Sequence, residues 1–444
     1  MILSGRTICR ASAVLAGIGV IASCAGTPPR ENGKLEIERV VDEPTPAGAA
    51  PQASRRPRAR EMGIVIGRFS PGHHDAITDV DGVRVGQVTL NTGSGKLVPG
   101  KGPVRTGVTV IIPGDGDPWT HKPMAGSFVM NGNGEATGLM WIQESGIIET
   151  PIALTNTLSV GDVQGALVDW MLKTHPEVGV SDDTLTPVVL ECDDSTLSDI
   201  RGRHVKRDDV LRALSSASGG PVAEGAVGAG AGMMAYDFKG GIGTASRRVP
   251  SDSGHYTLGV LVNANHGDRG TFRVMGAPVG LEIPDLMPKV HQEGSIVVIL
   301  ATDAPLDGRQ LSRLAKRVFL GIARTGAVAQ HGSGDVAIAF STANRVPHYP
   351  SRREITVRLL SDFWMNDLFE AAADIGEEAT LNAVLAADTV VGRDGNTAYG
   401  LPIDRLHAIL EHYRVIGAKG PWRAPAIPPK NDAMPPLATA PVTN

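Results

Sequence analysis

The stretch GGIGTASRRV, residues 240–249, sets one hydroxyl, Ser246, on nearly bare backbone and follows it with two arginines. Glycine lets a backbone turn, or approach its neighbours, where other residues cannot. A serine hydroxyl is a weak nucleophile unless a base lies within hydrogen-bond reach. No serine of this chain sits in a GxSxG elbow, so that motif supplies no base. Two readings follow. In the first, the stretch is a glycine-rich strand or turn whose small residues pack closely, and on these residues alone it is the better reading. In the second, the bond Ala245–Ser246 breaks, and Ser246 becomes an N-terminus whose own amine serves as base. Such an amine has an ordinary pKa of about 7.7–8.0, and Arg247 and Arg248 would lower it by charge repulsion.

The surrounding chain has 444 residues, 42% hydrophobic and 20% charged, with a formal net charge of -5. That is globular composition, with enough length for a sizeable core. The balance of 42 basic against 47 acidic residues excludes the concentrated basic surface that nucleic acid requires. With 54 glycines and 4% aromatics, the core rests on aliphatic and small residues. The three cysteines, at 9, 24 and 192, show no CxxC or Cys/His spacing, so no structural zinc site is expected. Cys192 precedes Asp193 and Asp194, and neighbouring anions disfavour a thiolate, so it reads as an inert, partly buried thiol. His73-His74-Asp75 follows Pro71-Gly72 and reads as an exposed loop.

Residues 1–24 read as a secretory leader, with Arg6 and Arg10 ahead of an apolar run at 11–22. The run is short for a spanning helix. It ends in Ile21-Ala22-Ser23-Cys24, which resembles the lipobox of bacterial lipoproteins, where the cysteine is acylated. Ala25 in the next position favours the outer membrane, on the periplasmic side. Residues 25–61 are rich in proline and arginine and read as a tether, with Arg55, Arg56, Arg58 and Arg60 a solvated charge run. The end of the chain, 416–444, is again proline-rich and reads as a flexible tail.

Between 62 and 415 the pattern alternates strands and helices. Period-two or β-branched runs predict strands at 82–90, 106–113, 256–263, 295–301 and 335–341. Apolar stripes predict helices at 159–174 and 307–324, and a pair of helices at 365–374 and 377–388. The Gly/Ala-rich segment 224–234 predicts close approach to another element. A layered α/β body follows.

Several segments together resemble the P1 peptidases, the autoprocessed serine aminopeptidases that include L-aminopeptidase/D-esterase and the β-peptidyl aminopeptidases. They are DAITDVDGVRVGQVTL at 75–90, NGNGEATG at 131–138, PIALTNTLSVGDV at 151–163 and EGAVGAGAGMMAYDFKGGIGTASR at 224–247. YTLGVLVNANHG at 256–267, GSIVVILATDAPL at 294–306 and GDVAIAFSTAN at 334–344 continue the series. The resemblance spans residues 62–410 in order. It implies an αββα sandwich of the N-terminal-nucleophile-hydrolase kind, cut by itself into two associated chains within a homo-oligomer. On it the cut falls at Ala245/Ser246, giving an α chain to 245 and a β chain from 246, with Ser246 the nucleophile.

The resemblance further implies that Glu135, in NGNGEATG, holds the substrate's free ammonium. It implies a Ser-x-Glu arrangement downstream of the nucleophile, for which Gly280-Leu281-Glu282 supplies the acid without the serine. An asparagine in a Leu-Asn-Asp context would stabilise the oxyanion. Here that stretch reads Leu197-Ser198-Asp199, which leaves Ser198, Asn131, Asn133, Asn156 and Asn265 as candidate donors. The expected protein is a lipid-anchored serine aminopeptidase or amidase acting on small peptides or amino-acid amides, with no metal or organic cofactor implied. Two alternatives remain: an acyltransferase of the ornithine acetyltransferase type on the same fold, and a non-catalytic lipoprotein that binds within the envelope.

Overall fold

In the computed structural model, which describes residues 56–291 and 294–416, the run SIVVILAT at 295–302 is buried at every position. A strand that reads as an unbroken apolar run is covered on both faces, and here the two covers differ. One sheet contains β1 (Val83–Thr92), β2 (Val104–Pro113), β4 (Ile152–Asn156) and β5 (Val188–Cys192), in the order β1-β2-β4-β5. The other contains β3 (His121–Gly132), β6 (Gly241–Ser251), β7 (Gly254–Asn265), β8 (Ser295–Thr302) and β9 (Gly334–Pro347), in the order β3-β9-β8-β7-β6.

Alternate residues of β8 serve alternate layers. Val297 and Ile299 join Ile111, Leu154 and Leu190 of the first sheet in the core between the sheets. Ile296, Val298 and Leu300 join Leu311, Leu314 and Ile375, from helices α3 (Gly308–Arg324) and α4 (Asn366–Leu385), on the outer face. The first sheet is covered by α1 (Val160–Thr174) and α2 (Arg207–Ser216), through Val163, Leu167, Val210 and Leu214 on Val108, Val110 and Val189. The layers run helix, sheet, sheet, helix.

The structure corrects three expectations. The helix pair at 365–374 and 377–388 is the single helix α4. Gly376 sits where α4 meets α3: a Cβ there would stand 2.5 Å from the Val318 carbonyl oxygen, so the glycine is a contact and not a break. Acids of this helix are paired, Asp374 with Arg324 at 2.9 Å and Glu378 with the buried Arg247. The tether does not extend to 61. Ala59 is fully buried, its amide donates to Asn382 Oδ1 at 2.9 Å, and Arg58 and Arg60 enter ion pairs with Glu224 and Glu378, each at 2.8 Å. The third concerns the stretch 240–249, whose residues 241–249 form part of β6, in line with the strand reading and not the cleavage reading. Their bareness has a packing cause: a Cβ on Gly243 would lie 1.9 Å from the Ala379 carbonyl oxygen of α4. The leader with Cys24, the tether up to residue 55 and the tail from 417 lie outside the described residues.

Candidate active site

Ser246 is fully buried in the middle of β6, paired with Gly259 of β7. Its hydroxyl donates to Asp79 Oδ2 at 2.6 Å and accepts from the Gly72 amide at 2.9 Å, while its own amide donates to Asp75 Oδ1 at 2.9 Å. Its amide and hydroxyl are both committed to the segment 72–79, its carbonyl accepts from the Arg247 guanidinium at 2.6 Å, and the Ala245–Ser246 bond lies inside a continuous antiparallel ladder. A hydroxyl so enclosed cannot meet a substrate. Ser246 is therefore a structural residue, and the cut expected at Ala245/Ser246 has no place in this geometry. Asp75, expected with His73 and His74 in an exposed loop, is buried there beside Arg60 and Arg247, at 3.4 and 3.6 Å. His73 is exposed as expected.

Glu135 lies far from Ser246, in an open cleft of about 510 Å³ where the ends of β3, β5 and β8 converge. The serine in that cleft is Ser295, the first residue of β8. Ser295 is opposite Asn265 in the β8–β7 ladder, whereas Ser246 is opposite Gly259. Six strand positions separate these rows, about 20 Å at 3.3 Å per residue. Gly294 precedes Ser295, and a Cβ there would fall 1.7 Å from the Asn265 carbonyl oxygen, so only glycine fits ahead of this serine.

The turn before β9 completes the wall. The Gly334 amide donates to Ser295 Oγ at 3.0 Å. Asp335 accepts from the Ser333 hydroxyl and, at 3.2 Å, from the Ile296 amide, and burial pushes its carboxyl up. On the far side Glu191 of β5 is buried, accepts from the Glu135 amide at 2.9 Å and from the Thr157 hydroxyl, and is likewise raised by burial. This bond fixes the exposed turn that carries Glu135. The fully buried Cys192 thiol faces the carbonyl oxygens of Asn263 and Ser295 at 3.6 and 3.7 Å, and burial raises its pKa well above the ordinary value, as suits an inert thiol.

The other expected residues divide. Asn133 lines the cleft, its side chain donating to the Gly332 carbonyl at 2.8 Å. Asn131 borders the same turn through the Gln330 carbonyl. Asn265 is adjacent to Ser295, but its amide is spent on the Asp193 carbonyl at 3.0 Å and the Met234 amide at 2.7 Å. Asn156 caps the turn leading into α1 through the Ser159 amide, at 3.0 Å. Ser198 accepts from the Arg105 amide at 2.9 Å and is buried away from the cleft. Glu282, the expected orienting acid, is exposed on a short helix at Val279–Glu282 and accepts from the Tyr413 hydroxyl at 2.7 Å. Ser198 and Glu282 take no part in this site.

Sequence reasoning passed over Ser295, Ser333, Asp335 and Asn263. Asn263 is fully buried with neither amide atom partnered. It shares a face of the sheet with Ser295 as a diagonal neighbour, roughly 7–8 Å away. An unspent buried amide is costly unless something else uses it. A signal for this set was present: Ser333-Gly334-Asp335 is a Ser-x-acid arrangement downstream of Ser295, with aspartate where glutamate was sought.

Comparison with known proteins agrees with the layers and the cleft. A β-peptidyl aminopeptidase, BapA, from Sphingosinicella microcystinivorans is 44% identical over 388 residues, covering 84% of this chain and 96% of that protein. Among solved structures, a protein of Pyrococcus horikoshii OT3 is 50% identical with a TM-score of 0.78, covering 81% of this chain and 99% of its own. The L-aminopeptidase D-Ala-esterase/amidase of Ochrobactrum anthropi is described as a prototype serine aminopeptidase with a variant of the Ntn hydrolase fold. It is 40% identical with a TM-score of 0.76, over 81% of this chain and 99% of that one. The αββα sandwich is thus of the Ntn-hydrolase kind, and the relatives are peptide hydrolases; they favour neither the acyltransferase nor the binding-module alternative. Residues 75–398 match the profile of peptidase family S58, and the chain belongs to that family of serine aminopeptidases.

Proposed function

We propose that Ser295 is the nucleophile and that the chain matures by cutting itself between Gly294 and Ser295. The observation that carries this reading is that Ser295 shares a cleft with Glu135, behind a residue that can only be glycine. In maturation, Ser295 Oγ attacks the Gly294 carbonyl carbon and the amide nitrogen leaves with a proton, becoming the Ser295 α-amine. Water hydrolyses the resulting ester and leaves a carboxylate on Gly294. In turnover, the freed amine takes the Oγ proton and Oγ attacks the substrate's acyl carbon. The amine then protonates the departing nitrogen, and water releases the acid. Asn263 supplies a buried donor for the oxyanion, and the Gly334 amide steadies Oγ.

Glu135 accepts the free ammonium of the substrate, which confines cleavage to the first residue of a peptide or amide. Names of the relatives span β-peptidyl and L-amino-acid substrates, and both fit an exposed acid across an open cleft. The ion pairs of Arg60 and Arg247 with Glu378 join residues on both sides of the proposed cut, which supports chains that remain associated. Export and lipid attachment at Cys24 rest on the leader sequence, and assembly into a homo-oligomer rests on the resemblance.

The test is release of p-nitroaniline from alanyl and β-alanyl anilides, beside their N-acetyl forms. Wild type should cleave only free-amine substrates, and Ser295→Ala should cleave none. Cleavage of acetylated substrates at equal rates would remove Glu135 from the role.

A further inference from the structure

Behind the turn that steadies Ser295, on the helix side of the sheet, lies a second cavity, of about 200 Å³. Its walls include Ile296, Phe319, Ile322 and Ala327, and its polar end is formed by His266, Ser333 and Asp335. An apolar cavity of about 150 Å³ is enough to hold a benzene ring. Met130 and Val328, both exposed, line it as well, so it is open to entry.

The polar end is not symmetrical in its hydrogen bonding. The Thr325 hydroxyl donates to the Ile322 carbonyl at 2.6 Å. The Tyr236 hydroxyl must then donate to Thr325 Oγ1, since that oxygen has no second proton. The remaining bond, His266 Nε2 to the Tyr236 oxygen at 3.1 Å, is therefore donated by the imidazole. Burial lowers the His266 pKa to about 4, so the ring is neutral near pH 7 and Nδ1 is a bare acceptor. That Nδ1 is buried and has no partner, and His266 as a whole is only 5% exposed.

We propose that this cavity is a binding site for a compact apolar group, about the size of a phenyl ring, that carries one hydrogen-bond donor for His266 Nδ1. Phenols, benzylic alcohols and aromatic side chains bearing N–H or O–H have this chemistry. The occupant touches Ser333 and Asp335, and through them bears on the strand that begins with Ser295. The site itself does not depend on which serine is the nucleophile; only its effect on rate rests on the function proposed above.

The experiment titrates the purified enzyme with phenol and with anisole, which has the same ring and no donor, by calorimetry and by the histidine side-chain signals in ¹⁵N NMR. Phenol should bind about tenfold more tightly than anisole, the weight of one neutral hydrogen bond, and should move the His266 resonance. Ala327→Phe, on the cavity wall, and Ala323→Phe, on the exposed last turn of α3, should each weaken phenol binding at least about tenfold. Equal affinity for the two probes would overturn the assignment to His266. Unchanged phenol binding in both variants, or none in wild type, would overturn the site. Rate measurements with alanyl anilide then identify the occupant. Competition with the substrate supports a side-chain pocket of the substrate, and a change in kcat alone supports a separate ligand. Binding is read without turnover, so a failed nucleophile assignment leaves this result intact.

Discussion

The Gly334 amide points at the Ser295 hydroxyl and donates to it at 3.0 Å, joining the first residue of β9 to the first residue of β8. Ser246 also accepts a backbone amide, from Gly72 at 2.9 Å, but it is enclosed where no substrate reaches. The two serines should therefore respond differently to removal. Ser295→Ala should lose at least about 10³-fold in kcat/KM. Ser246→Ala should keep activity within about threefold, while urea unfolding shows a loss of roughly 1–3 kcal/mol as the Gly72 amide and Asp79 lose a partner.

Glu135 is held by its amide bond to Glu191 and leaves its own carboxylate exposed in the cleft. Glu135→Gln should raise KM for alanyl anilide, lowering kcat/KM by roughly 10- to 100-fold, the range of a charge-assisted hydrogen bond. Steady-state kinetics at fixed ionic strength would measure it. An unchanged KM would remove the ammonium from Glu135.

Arg247 and Glu378 are both fully buried and paired with each other. Taking one partner from such a pair strands the other charge. Arg247→Met should destabilise the protein by about 3–5 kcal/mol in urea unfolding. Glu378→Gln, which keeps the shape, should destabilise it less.

Asp75 is pushed up to about 6, first by burial and then by the charge of Glu378, and Glu224 is pushed up to about 7 by burial. The folded chain thus keeps protons that the unfolded chain releases near its ordinary carboxylate values. Stability from these groups is complete below about pH 4 and is lost as pH rises through 6 and 7. Urea midpoints at pH 5 and pH 8 should show this slope, and Glu224→Gln should flatten it.

Much of the sandwich was legible because its strands and helices carry strong periodicity. The run at 295–302 and the stripe of Leu311, Leu314 and Val318 each left little choice. The site was harder to read. Small residues around a serine mark close backbone approach, which both Gly243 beside α4 and Gly294 beside Asn265 require for different ends. Local sequence does not separate them; only the register places one serine opposite Asn265 in the cleft and the other six rows away. Asp335 and Asn263 read as ordinary strand-end polar residues until the ladder brought them to Ser295. The half-buried Arg58 and Arg60 looked like tether because the carboxylates nearest to them, Glu224 and Glu378, lie more than a hundred residues away.

The intact mass of the purified protein, beside Ser295→Ala and Ser246→Ala, tests the central claim most directly. Wild type and Ser246→Ala should each give two chains, the second beginning at Ser295, and Ser295→Ala should remain whole. A second chain that begins at Ser246, or a wild-type chain that stays uncut, would contradict the assignment of Ser295.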